Sequence, residues 1–406
     1  MSGKRGNREG SMYPYKDGWA AYVWVTTPSG ALKRKYVTSK DRDKCHAKWI
    51  ELQAKAAKGP VDTDVESVGQ YAHYWLEELV KPNLTPGTYD NYARWVRLQI
   101  EPGIGSRRLD KLRVRDIQVW LNKVAGTCQC CYQGKDSARA EDKRQCCAIG
   151  KCCKQLYTKS SLQGLRRALR AMLGCAVVDE KLDKNLGSLT KITAQRKHKT
   201  RRRRWSSEDA RKFLVSARVD EDRYYLAFVF ILVYGMRRGE ALGFSDDEID
   251  LARDRLEVAW QIQRVGTELL RREVKTEDSE DYLPLLGICR AAVELRYRQR
   301  DKERQEAGNA WHESGLVITT PLGSVKDPRN FLRDWYYRCD KAGVPRISIR
   351  DARRTCASIL ADLDVHPRIA MRILRHSKIT VTMEVYTKVS DEATITALKR
   401  LETELG

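Results

Sequence analysis

The stretch Ser348-Ile-Arg350-Asp-Ala-Arg353-Arg-Thr355, followed by Leu374-Arg-His376-Ser377 and Met383-Glu-Val-Tyr386-Thr387, decides how the rest of this 406-residue chain is read. Arginines, a histidine and a tyrosine are spaced here for chemistry on a phosphodiester. A guanidinium grips phosphate oxygens through paired N–H donors and keeps its charge at any ordinary pH. A tyrosine hydroxyl can be a nucleophile, but with a reference pKa of about 10 it needs cationic neighbours at neutral pH. A phosphoryl centre under attack spreads negative charge over several oxygens, so one more arginine is expected from elsewhere.

Tyr234-Gly235-Met236-Arg237-Arg238-Gly239-Glu240-Ala241-Leu242 supplies the candidate, directly after the apolar run Leu226–Val233. Glu240 follows Arg237 by three residues, a helical spacing that sets a carboxylate beside the guanidinium. In order, Gly-x-Arg-x-x-Glu, Arg-x-x-Arg, Leu-x-His-Ser and a tyrosine ten residues beyond the histidine resemble the boxes of the tyrosine recombinase (phage integrase) family, over roughly 205–389. The variant met in actinobacterial integrative elements or phages is the one it looks most like. The resemblance implies a site-specific DNA recombinase that cleaves and rejoins strands through a 3′-phosphotyrosyl link, integrating or excising a mobile element without ATP or a catalytic metal. It implies Tyr386 as nucleophile, Arg237, Arg353 and His376 on the phosphate, and Lys275 as the acid protonating the leaving 5′ oxygen. Glu240 supports Arg237. Arg350 stands where the family usually has histidine; arginine cannot act as a general base, but it can donate to the phosphate or lower the Tyr386 pKa. Arg354 and Arg375 replace a common histidine and a common glycine.

The charge agrees with such a partner. Lys and Arg number 76 against 54 Asp and Glu, a net charge of +22, and this surplus favours a polyanion, nucleic acid before membrane surface. No apolar run approaches the roughly 18–20 residues that span a bilayer. Met1–Gly10 is polar and basic with no apolar stretch behind it, so a secretory signal is not expected and a cytoplasmic, nucleoid-associated protein of a bacterium or infected host is.

The expected fold is multidomain α+β. Residues 1–60 read as strands Trp19–Thr26 and Leu32–Val37 around a turn at 27–30, with basic residues Lys33, Arg34 and Lys35 on the second strand, and a helix from Asp41 to Lys58, a unit that resembles the arm-type DNA-binding domain many integrases carry ahead of their core. Residues 64–187 read as helical, with a helix start at Thr85-Pro86, a stop at Glu101–Gly105, a helix through Leu109–Leu121 and another from Ser160 to Val178, and they resemble the SAM-like core-binding domain of the family. Residues 188–204 are a basic linker whose Arg201, Arg202, Arg203 and Arg204 track a DNA backbone through salt-sensitive contacts. Residues 205–406 are the catalytic domain, mainly α with a small three-stranded sheet (Leu256–Arg264, Leu269–Thr276, Tyr282–Leu286) and a C-terminal exchange helix. The resemblance further implies a homotetramer on double-stranded DNA carrying core and arm sites, with an excision factor as an additional partner.

Seven of the twelve cysteines fall between Cys128 and Cys153, inside the core-binding region. Cys128 and Cys131, with Cys146, Cys147, Cys152 and Cys153, have spacings that can close on tetrahedral Zn²⁺, and metal binding would supply the folding energy that an insert poor in apolar residues lacks. Two other readings of the whole chain stay open at this stage: a type IB topoisomerase, and a catalytically idle DNA-binding regulator, which Arg350 favours.

Overall fold

The computed structural model describes residues 10–27, 30–61, 66–192, 204–274 and 282–376, with 379, 380, 383, 399 and 401–403 beyond them. The chain divides into two compact units, Met1–Lys197 and His198–Gly406. No helix among the described residues is long and apolar enough to cross a membrane.

The first unit begins with a three-stranded antiparallel sheet, β1 (Ser11–Tyr15), β2 (Gly18–Thr26) and β3 (Leu32–Ser39), in that order. The hairpin expected from the sequence therefore gains a leading edge strand. Val23 and Val25 point to one side, where α1 (Arg42–Lys58) covers them with Leu52. Asp41 caps α1 by accepting from the amides of Asp43 and Lys44. Register places Trp24 opposite Arg34, Val25 opposite Lys33 and Val23 opposite Lys35. Because a strand alternates its faces, the basic triplet does not present one surface: Arg34 lies on the outer side, while Lys33 and Lys35 lie on the side of α1. Arg34 stacks over Tyr22 and Trp24, 4.9 and 4.6 Å from the ring centres.

The helical part follows. α2 (Val68–Tyr74) runs on through a π-helical turn, Trp75–Val80, and α3 (Pro86–Trp95) through another, Val96–Gly105. Pro102 sits inside the second, so the stop expected at Glu101–Gly105 is instead a widened continuation of the helix that accommodates a residue without an N–H. The expected helix through Leu109–Leu121 is also divided. Leu109–Lys111 is an isolated 3₁₀ turn, and α4 (Val114–Gly126) starts after it, where the carboxylate of Asp116 accepts from the Arg113 amide. α4 and α6 (Lys159–Val178) bury Ile117, Leu121, Leu165, Leu169 and Met172 against Trp75, Trp95 and Ile100. Between them lies the cysteine-rich insert with its short helix α5 (Gln129–Tyr132).

In the second unit α7 (Ser207–Val219) leads to α8 (Tyr225–Val233), of which every residue but the last is buried. Its apolar sequence is apolar all round because the helix is enclosed all round. The short α9 (Arg238–Ala241) follows. The strands differ from expectation: Leu256–Arg264 breaks at Val258-Ala259, so β5 (Arg255–Glu257) pairs with β4 (Ile249–Asp250) and β8 (Tyr282–Pro284), while β6 (Trp260–Val265) and β7 (Glu268–Glu273) form a separate hairpin. α10 (Gly287–Ala307) and α11 (Pro328–Lys341) pack next, and Phe213, Phe228, Phe331 and Trp335 form an aromatic centre. α12 (Ile349–Asp362) and α13 (Pro367–Leu374) complete the described core.

Candidate functional site

Three chain segments converge around one buried carboxylate. α8 ends at Tyr234, and Gly235 turns the chain with φ +59°. A side chain there would be strained, and a Cβ would lie 2.4 Å from a Leu374 methyl, so glycine is required by both backbone and neighbour. The turn delivers Arg237 to the start of α9, where its amide donates to Glu240 Oε2 at 2.9 Å and its guanidinium to Oε1 at 2.6 Å. Glu240 is fully buried, while the Arg237 side chain is 49% exposed, which leaves this guanidinium open to a ligand.

Arg353, buried on α12, donates to the Gly235 carbonyl at 2.7 Å and to the Leu374 carbonyl, tying the end of α8 to the end of α13. Past Leu374 the chain enters the left-handed region at Arg375, with φ 49° and ψ 56°, a helix-ending geometry that glycine adopts most easily. This explains the physical preference for glycine there. In this chain the arginine is kept and used: its guanidinium is buried and donates to Glu240 Oε2 at 2.7 Å. One carboxylate thus serves two guanidiniums, and Arg237, Arg353 and Arg375 together outnumber it by two charges.

The electrostatics record that surplus. Burial opposes the Glu240 charge, but Arg375 and Arg237 overcome it and hold the carboxyl at about 2. Burial, then the nearness of Arg237, pushes Arg353 down to about 9. His376 directly follows Arg375, and burial, then Arg353, Arg237 and Arg375, push it down to about 4. At neutral pH it is a neutral imidazole carrying one N–H. Such a cluster is a preformed anion site: its cations are fixed in place, and an incoming phosphate would relieve their mutual repulsion.

Of the other expected residues, Arg350 lies exposed on the first turn of α12 and has no hydrogen bond or ion pair among the described residues. Lys275, which follows the end of the β6–β7 hairpin, and Tyr386 lie outside the described residues, as do Arg201, Arg202 and Arg203. Arg204, itself exposed, donates through one guanidinium nitrogen to Ser358 Oγ at 2.6 Å, and Trp205 N donates to Thr355 Oγ1 at 3.1 Å, so this end of the linker is fastened to α12. Sequence reasoning treated Arg375 as a departure and gave it no role. Its contact with Glu240 spans 135 positions, and no local spacing announces it.

The insert gathers all seven of its cysteines, including Cys130, which the sequence reading left out. Two overlapping groups of four, Cys128, Cys131, Cys147 and Cys152, and Cys130, Cys146, Cys147 and Cys153, each bring their sulfurs within 4.8 Å of one another. The buried Asp136 holds the loop between them by accepting from the amides of Gln145, Cys146 and Ala148.

Two family models match: the N-terminal SAM-like domain of phage integrases over residues 67–125, and the phage integrase family over 203–393. An XerC-like tyrosine recombinase of Caldanaerobacter subterraneus subsp. tengcongensis is 26% identical over 392 residues, 92% of each chain. An integrase of Saccharopolyspora erythraea is 30% identical over 141 residues, 35% of this chain and 32% of that one. Among solved structures, the integrase of the Tn1549 transposon in complex with a circular intermediate DNA shares the fold with a TM-score of 0.62 at 16% identity, covering 83% of this chain and 99% of that one. With the boxes in order, the SAM-like and catalytic regions both matched and the phosphate-ready cluster assembled, the chain belongs to the phage integrase family of tyrosine recombinases.

Proposed function

We propose that this chain is a site-specific DNA recombinase that integrates and excises a mobile element. The observation that carries the reading is the cluster of Arg237, Arg353, Arg375 and His376 about Glu240, which holds two positive charges in excess. Arg237 and Arg353 bind the two non-bridging oxygens of the scissile phosphate, and His376 adds an N–H donor. The Tyr386 hydroxyl attacks phosphorus, the bond to the 5′ oxygen breaks, and Lys275 donates a proton to that oxygen. Arg350 lowers the Tyr386 pKa through its charge, and the tyrosyl proton leaves to solvent. The 3′-phosphotyrosyl ester keeps the bond energy, so attack by a 5′ hydroxyl rejoins the strand. Tyrosine recombinases need no cofactor for this chemistry; the guanidiniums supply the charge that Mg²⁺ supplies elsewhere.

DNA is the partner, as it is in the complex solved for the Tn1549 integrase. Residues 1–60 bind arm sites through the outer face of the sheet, where Arg34 lies against Tyr22 and Trp24. Residues 64–187 and the linker 188–204, with Arg201, Arg202 and Arg203, clamp the core site beside the catalytic domain 205–406. Four copies act together on two sites, joined by the C-terminal helix, and an excision factor sets direction, within the cytoplasm on nucleoid DNA. The cysteine-rich insert holds structural zinc.

The test is covalent trapping on nicked attachment-site DNA, comparing wild type with Tyr386→Phe, without ATP. An adduct formed by wild type alone is the expected result. Binding without any adduct from wild type would show an idle DNA-binding protein, and relaxation of plasmid lacking a site would show a topoisomerase.

A further inference from the structure

The seven cysteines of the insert do more than offer a choice of ligands. The four-sulfur groups share one member, Cys147, so together they use all seven thiols with none left over. Two tetrahedral ions that share one ligand need seven sulfurs in total. The separations also fit. Zn–S bonds of about 2.3 Å put the sulfurs of one tetrahedron about 3.8 Å apart. Here Cys128–Cys147 is 3.9 Å, Cys131–Cys152 3.7 Å, Cys130–Cys146 3.7 Å and Cys147–Cys153 3.7 Å. None of the twelve cysteines is in a disulfide. Cys147 is the member common to both groups, 3.9 Å from Cys128 and 3.7 Å from Cys153, and Cys128 and Cys153 lie 3.8 Å apart across the junction.

Charge and packing point the same way. Seven thiolates with two divalent ions carry −3, and between 128 and 157 six Lys or Arg stand against three acidic residues. The Gln155 amide donates to the Cys128 sulfur at 3.3 Å, a contact suited to a metal-bound thiolate. Asp136 fixes the Cys146–Ala148 backbone, and Gly150, with φ +78°, turns the chain back toward Cys152. Below the sulfurs the insert is fastened to the helical bundle: Gln99 donates to Gln129 at 2.9 Å, and Tyr157 packs edge-on against Trp95.

We propose that the insert binds two zinc ions as a single Zn₂Cys₇ cluster in which the Cys147 thiolate bridges both. This rests on the structural-zinc reading above and deepens it to a number of ions and a complete ligand set. On loading, seven thiols release seven protons to solvent, and no oxidant or reductant is consumed.

The experiment uses the full chain, purified under reducing conditions without chelator, with metal counted by elemental analysis and native mass spectrometry. The expected result is two zinc ions per chain, with the seven insert thiols blocked to alkylation until a chelator is added. The five cysteines outside the insert, mapped on separate peptides, serve as controls. Cadmium-113 substituted for zinc should give two resonances with metal–metal coupling through the shared sulfur. Cys152→Ser, at an exposed ligand of one ion only, should leave one ion, and Cys147→Ser should leave less than one. One ion in the wild type with three reactive thiols overturns the two-ion cluster and leaves the single-site reading standing. No ion, or disulfides in the insert, overturns both. Equal loss from the two variants overturns the bridge.

Discussion

The arginine cluster and the cysteine insert solve the same problem in opposite ways. Each crowds groups that repel one another once charged. At the arginine site the chain supplies a counter-charge of its own, Glu240, and pins Arg353 to the Gly235 and Leu374 carbonyls, so the guanidiniums are held by the chain's own groups. The insert buries almost nothing apolar, and its six lysines and arginines against three acidic residues offset less than half of the charge of seven thiolates, so on the zinc reading its order depends on what it binds. The first is preorganised for an anion that comes and goes; on the proposed zinc reading, the second is built for cations that stay.

That contrast can be broken in four places. The largest effect is expected from Glu240→Gln, which leaves three guanidiniums without their carboxylate. Removing one partner of a buried charge pair costs about 3–5 kcal/mol, to be read from urea unfolding. Unchanged stability would mean the cluster does not rely on this residue. Next comes Arg353→Lys. An ammonium cannot reach two carbonyls and a phosphate as a fork does, and single-turnover cleavage of nicked DNA should fall about 10²- to 10³-fold with folding retained. A loss under threefold would move phosphate binding elsewhere.

A smaller effect is expected from Asp136→Asn, which weakens the acceptor holding the Cys146–Ala148 amides. Zinc affinity, measured by competition with a chelator, should drop about 10- to 100-fold while cleavage stays at the wild-type rate. Cleavage falling in step with zinc would join the two regions functionally. The smallest concerns His376. Its folded pKa of about 4 lies below the ordinary 6.5, so protonation favours the unfolded chain. Its contribution is intact above pH 6.5 and is lost as pH falls toward 4. His376→Gln should flatten the stability profile across that window; parallel profiles for the two proteins would refute the shift.

Much of this was legible in advance because its signals are local. The all-apolar run Leu226–Val233 fixes a buried helix, and the Arg237–Glu240 spacing fixes a contact one turn long. What escaped was carried by distant or ambiguous residues. β1 contains Pro14, which argues against a strand unless it lies at an edge, where it does lie. The break at Val258-Ala259 has no glycine or proline to mark it, and strands assigned as one run separate into a sheet and a hairpin. Lys33 and Lys35 looked like companions of Arg34 until the pleat turned them to the other face. Arg375 occupies a backbone conformation that argues for glycine, and its reach to Glu240 accounts for an arginine there.

The burial of α8 has a consequence for how such a protein diversifies. The arginine box is mounted on the end of a helix enclosed on every side, so the backbone that carries Arg237 is anchored in the centre of the second unit. The surface proposed above for arm-site recognition, the Arg34 face of the sheet, lies on an element with a small core of its own. Target preference can therefore drift by surface substitution while the cutting geometry stays put, and a change of address on the chromosome does not require a new blade.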